Sequence, residues 1–149
     1  MIPSSKHVLL VDDEEVDRRV ITQILEGAGL IVSATESYAE ATRIFERQLD
    51  QIDLLISDIS LPHGNGVELA KTFLKKKPTL KILLISGWVG AEIMQHHGIP
   101  PADRHFLPKP FTSAVLLERV REIFQTDDAW EWLQPSGRNE PYRASNGGT

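Results

Sequence analysis

"HVLLVDDEEVDRRVITQILEGAGLIVSA" (His7–Ala34) carries a whole β–α–β unit. His7–Val11 is a compact run of apolar residues without polar alternation, the pattern of a strand covered on both faces. Beyond it, Val16, Val20, Ile21, Ile24 and Leu25 fall at helical spacing. Gly27 and Gly29 supply the helix stop, and "LIVSA" (30–34) is the next strand. A strand, a helix and a strand in this order predict a right-handed parallel crossover.

The pattern continues outward. "SYAEATRIFERQ" (37–48) is a second helix, opened by a capping box of Ser37 and Glu40. "DLLIS" (53–57) is a third strand, "NGVELAKTFLKKK" (65–77) a third helix and "KILLIS" (81–86) a fourth strand. A weak helix around 89–97 follows, then "RHFLP" (104–108) as a fifth strand and "TSAVLLERVREIFQ" (112–125) as a fifth helix. Five β–α units in succession predict an α/β fold, a doubly wound five-stranded parallel sheet with helices on both faces.

The bulk composition agrees with that reading. The chain has 149 residues, 41% hydrophobic and 25% charged, ordinary values for one soluble domain. Its apolar runs are far shorter than the roughly 20 residues that cross a bilayer, and no signal-peptide core opens it. The absence of cysteine excludes disulfides and thiolate metal sites and makes a cytoplasmic setting the default expectation. A formal charge of −5 argues against direct nucleic-acid binding. "KTFLKKK" (71–77) is locally basic, but it ends a predicted helix, where lysines favour the macrodipole.

In a doubly wound sheet, ligands bind outside the carboxyl ends of the strands. Here those ends carry Asp12 and Asp13, Asp58, Ser86 and Lys109. Each has a bland explanation alone: helix-end charge, a turn former, a loop hydroxyl, a solvated lysine. Their coincidence on one edge does not. In "LPKPF" (107–111), prolines flank Lys109, which ends the strand and holds the lysine in a set direction over that edge. Clustered carboxylates repel unless something positive joins them, and Mg²⁺ suits a site with few protein oxygens. An aspartate can act as a nucleophile that forms an acyl phosphate. The cation, the Ser86 hydroxyl and the Lys109 ammonium would each take an oxygen of the transferred group. No GxxxxGK[ST] or GxGxxG motif is present, so the donor should bring its own activated phosphoryl group.

These motifs, "VLLVDDE", "LLISDISLPHGNGVEL", "ILLISG" and "FLPKPF", resemble the receiver domain of bacterial two-component response regulators over about Lys6 to Gln125. The resemblance implies a CheY-like (flavodoxin-like) strand order of 2-1-3-4-5. It implies that Asp58 accepts a phosphoryl group from a phosphohistidine on a histidine kinase or phosphotransfer protein. Mg²⁺ would be held by Asp13, Asp58 and the backbone carbonyl of Ser60, with Asp12 acting largely through the metal's waters. Ser86 and Lys109 would contact the phosphoryl oxygens, the Lys109–Pro110 peptide would be cis, and Phe106 would stand at the aromatic switch position. The family's threonine is Ser86 here, its loop methionine is Leu61, and its switch tyrosine is a phenylalanine. His63 reads as an exposed loop residue. Trp88 beside the site either shields the acyl phosphate or packs on the surface.

Such a chain is not expected to be a turnover enzyme, though it would assist its own phosphoryl transfer and autodephosphorylation. Coupling of Ser86 to Phe106 would carry the signal to the face of the fourth helix, fifth strand and fifth helix. A protein target would bind there, or a second copy of the chain. The expected organisation is a receiver at 1–126 and a tail at 127–149 that begins acidic and aromatic and turns Pro-, Gly- and Ser-rich, with no effector domain and no membrane contact. Trp130 and Trp132 in that tail suggest docking, onto the domain or a partner. Two other classes compete. One is a degenerate receiver acting as a phosphorylation-independent interaction module. The other is a Mg²⁺-dependent aspartyl-phosphate phosphatase, which would want a carboxylate where Ser60 stands.

Overall fold

Val8, Leu9, Leu10 and Val11 are all fully buried, and they alternate between two cores. Successive residues of a strand point to opposite faces, so a wholly apolar strand needs cover on both. The structure, a computed structural model, describes residues 2–3, 5–87, 96 and 104–126. Five strands form one parallel sheet: β1 (His7–Val11), β2 (Ile31–Thr35), β3 (Ile52–Asp58), β4 (Lys81–Ser86) and β5 (Phe106–Pro108), in the spatial order β2-β1-β3-β4-β5. The expected order and parallel sense are both present.

Among the described residues, four helices flank the sheet: α1 (Glu15–Gly27), α2 (Tyr38–Arg47), α3 (Gly66–Lys76) and α4 (Ser113–Gln125), the last being the fifth helix expected from the sequence. Leu9, Val11, Leu55, Ile82 and Leu84 share one core with Phe45 of α2 and Phe73 of α3. The two rings stack with centroids 3.9 Å apart. Val8, Leu10, Ile56, Leu83, Ile85 and Leu107 share the other with Ile21 and Leu25 of α1 and Leu116, Val120 and Ile123 of α4. Each such side chain contributes about 1.5–3 kcal/mol on leaving water.

Local chemistry sets the boundaries. Ser37, Asn65 and Thr112 cap their helices by accepting from the backbone N–H of Glu40, Glu68 and Val115. α1 ends in a Schellman motif: Gly29, at φ 94°, donates to Glu26 and Leu30 donates to Leu25. That use of the Leu30 N–H is why β2 begins at Ile31, one residue later than the sequence suggested. β5 is shorter than expected because Arg104 and His105 form a turn, leaving three residues in register with β4.

The helical stripe of α1 is also narrower than its spacing implied. Ile21 and Leu25 are buried, whereas Val16 and Val20 are 70% and 47% exposed. A short antiparallel ladder, Ser60–Leu61 with Gly64–Asn65, follows β3. Two-residue strands leave no periodic signal to read. The basic run ending α3 is used structurally. Lys76 pairs with Glu46, and the Lys77 ammonium donates to the Leu49 and Ile52 carbonyls. No helix of the described residues is long and apolar enough to cross a membrane. Trp88, the expected helix at 89–97 apart from the helical His96, and the tail with Trp130 and Trp132 lie outside the described residues.

Candidate functional site

Parallel registration brings the strand ends together. Backbone hydrogen bonds continue one residue past β1, β3 and β5: Asp12 N–H to the Thr35 carbonyl, Ile59 N–H to Ile85 and Lys109 N–H to Ser86. The residues after β1 and β5 and those ending β3 and β4 are thereby fixed to one edge. The sequence-predicted residues Asp12, Asp13, Asp58, Ser86 and Lys109 all stand there. The Lys109–Pro110 peptide is cis.

Asp12 and Asp58 are buried, at 1% and 7% exposure, while Asp13 is exposed. One carboxylate oxygen from each lies within 4.8 Å of the others. Asp12 accepts from the Glu14 N–H at 2.9 Å and Asp58 from the Ser60 N–H at 3.2 Å. Their other oxygens take the Lys109 ammonium, at 3.4 Å and 3.2 Å. The Asp12 backbone is fastened in turn, since the Arg18 guanidinium donates to its carbonyl. This donor set, three oxygens carrying negative charge with no nitrogen or sulfur, fits a hard divalent cation such as Mg²⁺.

Burial is the main influence on both buried carboxyls. It pushes Asp58 and Asp12 above the ordinary carboxylate range, and neither the Lys109 charge nor the backbone hydrogen bonds fully offset it. Lys109 shows the opposite balance. Burial pulls it down, but the hydrogen bond to Asp17 and the charges of Asp58 and Asp12 outweigh that and raise it, so it stays protonated. The cluster is short of positive charge even with the lysine in place.

Ser86 is buried at 1% exposure and donates to the neighbouring Gly87 carbonyl at 2.9 Å. Phe106 is buried in the core on the α2–α3 face, and its carbonyl accepts from Arg119 of α4. Ser60 stands in the short ladder opposite Asn65. His63 is exposed in the turn of that ladder, away from the cluster's ligand set.

Two participants escaped the sequence reading. Asp17, in the first turn of α1, accepts from the Lys109 ammonium at 2.9 Å. No sequence signal marks it, since an acidic residue in the first turn of a helix is ordinary favourable charge there. Gly66 opens α3 against the end of β3: its N–H donates to the Ile59 carbonyl at 2.8 Å.

Comparison with known proteins points one way. The family model for the response regulator receiver domain matches residues 8–121. The response regulator receiver protein CpdR of Brucella abortus is 33% identical over 79% of this chain and 96% of its own length. The sensor kinase CckA of the same organism is 31% identical over 85% of this chain, which spans only 13% of that much longer protein. A response regulator receiver protein from Sinorhizobium medicae superposes with a TM-score of 0.72 at 29% identity, covering 83% of this chain and 98% of its own.

Proposed function

This chain belongs to the response regulator receiver family, and from that premise we propose that Asp58 accepts a phosphoryl group from a phosphohistidine and that the modified protein signals by changing its protein contacts. The observation that carries the reading is the meeting of Asp58 with Lys109 at 3.2 Å beside two further carboxylates at the sheet edge. An unmodified site with that much negative charge needs a cation, and a phosphoryl group needs both a nucleophile and positive partners.

In the proposed step an Asp58 carboxylate oxygen attacks phosphorus, the P–N bond of the phosphohistidine breaks, and the imidazole leaves with the electron pair and takes up a proton. Asp58 is held for this by the Ser60 N–H on one oxygen and Lys109 on the other. Bound Mg²⁺ would be held by Asp12, Asp13 and Asp58, with the Ser60 carbonyl as the resemblance implies, and would supply charge neutralisation at the phosphoryl oxygens. Lys109 shifts its donors from carboxylate to phosphoryl oxygen. The Ser86 hydroxyl gives up the Gly87 carbonyl for the new acceptor, and Phe106, on the strand paired with that of Ser86, follows it. The same groups later assist hydrolysis of the acyl phosphate, so the protein resets itself without turning over a substrate. The donor is a histidine kinase or a histidine phosphotransfer protein. The target docks on the face of the expected fourth helix, β5 and α4.

The test is intact-protein mass after incubation with acetyl phosphate, with and without Mg²⁺, for the wild type and Asp58→Asn. One added phosphoryl group that requires both Mg²⁺ and Asp58 supports the reading. If no adduct forms and a beryllium fluoride mimic also fails to bind, phosphoacceptance falls and a phosphorylation-independent interaction module takes its place.

A further inference from the structure

We propose that Asp17 is a positioning residue for Lys109, the exchangeable partner that holds the lysine at the mouth of the site and sets the balance there between cation binding and phosphoryl acceptance. Its functional consequence rests on the reading of Asp58 as phosphoacceptor; the contact itself does not.

The nearest carboxylate to the Lys109 ammonium is neither Asp58 nor Asp12. Asp17 lies at 2.9 Å, against 3.2 Å and 3.4 Å for the other two. An ammonium has three N–H donors, and three carboxylates take them. A phosphoryl oxygen arriving at Lys109 must therefore replace a partner. The three differ in what replacement costs. Asp12 and Asp58 side chains are 1% and 9% exposed, so losing the lysine would leave a buried charge less compensated. The Asp17 side chain is 45% exposed, and water can take the place of the lysine. Asp17 is the partner that yields.

Its location suits that role. Asp17 lines a groove of about 390 Å³ with Val20, Ile21, Lys109, Pro110 and Phe111, so the Asp17–Lys109 pair borders solvent on the side of α1. While Asp17 holds Lys109, it partly neutralises the lysine charge. A cation entering among Asp12, Asp13 and Asp58 meets less repulsion, and an anionic donor meets less attraction. Removing the Asp17 charge reverses both, and both effects pass through Lys109. Opposite signs for the two ligands distinguish this from a merely structural role, in which damage to the site would weaken both.

The experiment uses the full chain with Asp17→Asn and Asp17→Glu. Mg²⁺ affinity is measured by calorimetry, and the initial rate of phosphoryl uptake from acetyl phosphate by intact mass at Mg²⁺ concentrations that saturate each variant. Asp17→Asn is expected to weaken Mg²⁺ binding and speed uptake, each by roughly two- to fivefold, the range that a partly exposed ion pair controls. Asp17→Glu restores both towards wild type. Repeated in a Lys109→Ala background, the Mg²⁺ effect of Asp17→Asn shrinks. Changes of the same sign for both ligands, no change in either, no Mg²⁺ binding by the wild type, or an undiminished Mg²⁺ effect without Lys109 would overturn the inference. If the wild type takes up no phosphoryl group, the phosphoacceptor reading fails, while the Mg²⁺ measurements still decide whether Asp17 acts through Lys109.

Discussion

A Cβ on Gly66 would lie 2.5 Å from the backbone carbonyl oxygen of Asp58 and 2.9 Å from the Ser57 hydroxyl oxygen. The start of α3 thus touches the backbone of the proposed phosphoacceptor, and the carbonyl it touches already accepts from the Ser57 hydroxyl. The obstacle is backbone, not the end of a flexible side chain, so it cannot simply swing aside.

Gly66→Ala should therefore cost about 1–3 kcal/mol by overpacking, measured by urea unfolding. It should also slow phosphoryl uptake, because the strain is delivered at Asp58. Gly87→Ala is the control: a Cβ there meets no described residue within 4 Å, although it too adjoins the site. Equal stability of the two variants would show that the close approach at Gly66 is not what the fold requires.

Asp58→Asn should raise the melting temperature in metal-free buffer at neutral pH. Burial lifts the Asp58 pKa above its unfolded value, so the folded state binds the proton more tightly than the unfolded chain does. Its ionisation then subtracts from stability as pH rises through the elevated folded pKa. The advantage of the variant should be full above that pKa and should disappear as pH falls towards the unfolded value of 3.8. Saturating Mg²⁺ should also narrow the gap, since it stabilises only the charged site. Calorimetric scans across pH, with and without Mg²⁺, check all three; a variant less stable than wild type at neutral pH without metal contradicts them.

Lys109→Ala removes the cation that three carboxylates share. It should destabilise the metal-free protein by roughly 1–3 kcal/mol, less than for a fully enclosed pair because the lysine keeps 20% exposure. Mg²⁺ should recover part of that loss. Phosphoryl uptake should fall even at saturating Mg²⁺, because the metal does not replace the donors that Lys109 offers. Chemical unfolding at several Mg²⁺ concentrations, with uptake rates on the same samples, separates the two roles.

The sheet and most of the acidic cluster are legible in the order of the residues. β1, β3 and β4 carry the apolar runs Val8–Val11, Leu54–Ile56 and Ile82–Ile85, each followed by a polar residue, and parallel pairing leaves those ends nowhere to go but one edge. Ser37 and Gly29 mark helix ends because capping is local chemistry. What escapes the sequence is set by packing. Val16 and Val20 share the spacing of buried residues but sit beyond the sheet's cover. The Asp17–Lys109 contact joins residues 92 positions apart, and nothing in the periodicity of α1 announces it. Gly66 is hidden for another reason: a glycine beside an asparagine reads as a turn former, whereas its role is to admit a backbone.

Ser86→Ala should separate folding from signalling. Among the described residues the Ser86 hydroxyl bonds only the carbonyl of its neighbour Gly87, so its loss should change stability by no more than about 1 kcal/mol. Asp58, Lys109 and the acidic cluster remain, and the variant should still accept one phosphoryl group. What it should lose is the link to β5, where Ser86 lies in register with Pro108 and, earlier on the same two strands, Leu84 lies against Phe106. Hydrogen exchange with and without beryllium fluoride would read that link. Wild type should show a ligand-dependent change at β5 and α4 that Ser86→Ala lacks and Ser86→Thr, which keeps the hydroxyl, retains. If Ser86→Ala responds like wild type, the path from the site to Phe106 does not run through this hydroxyl.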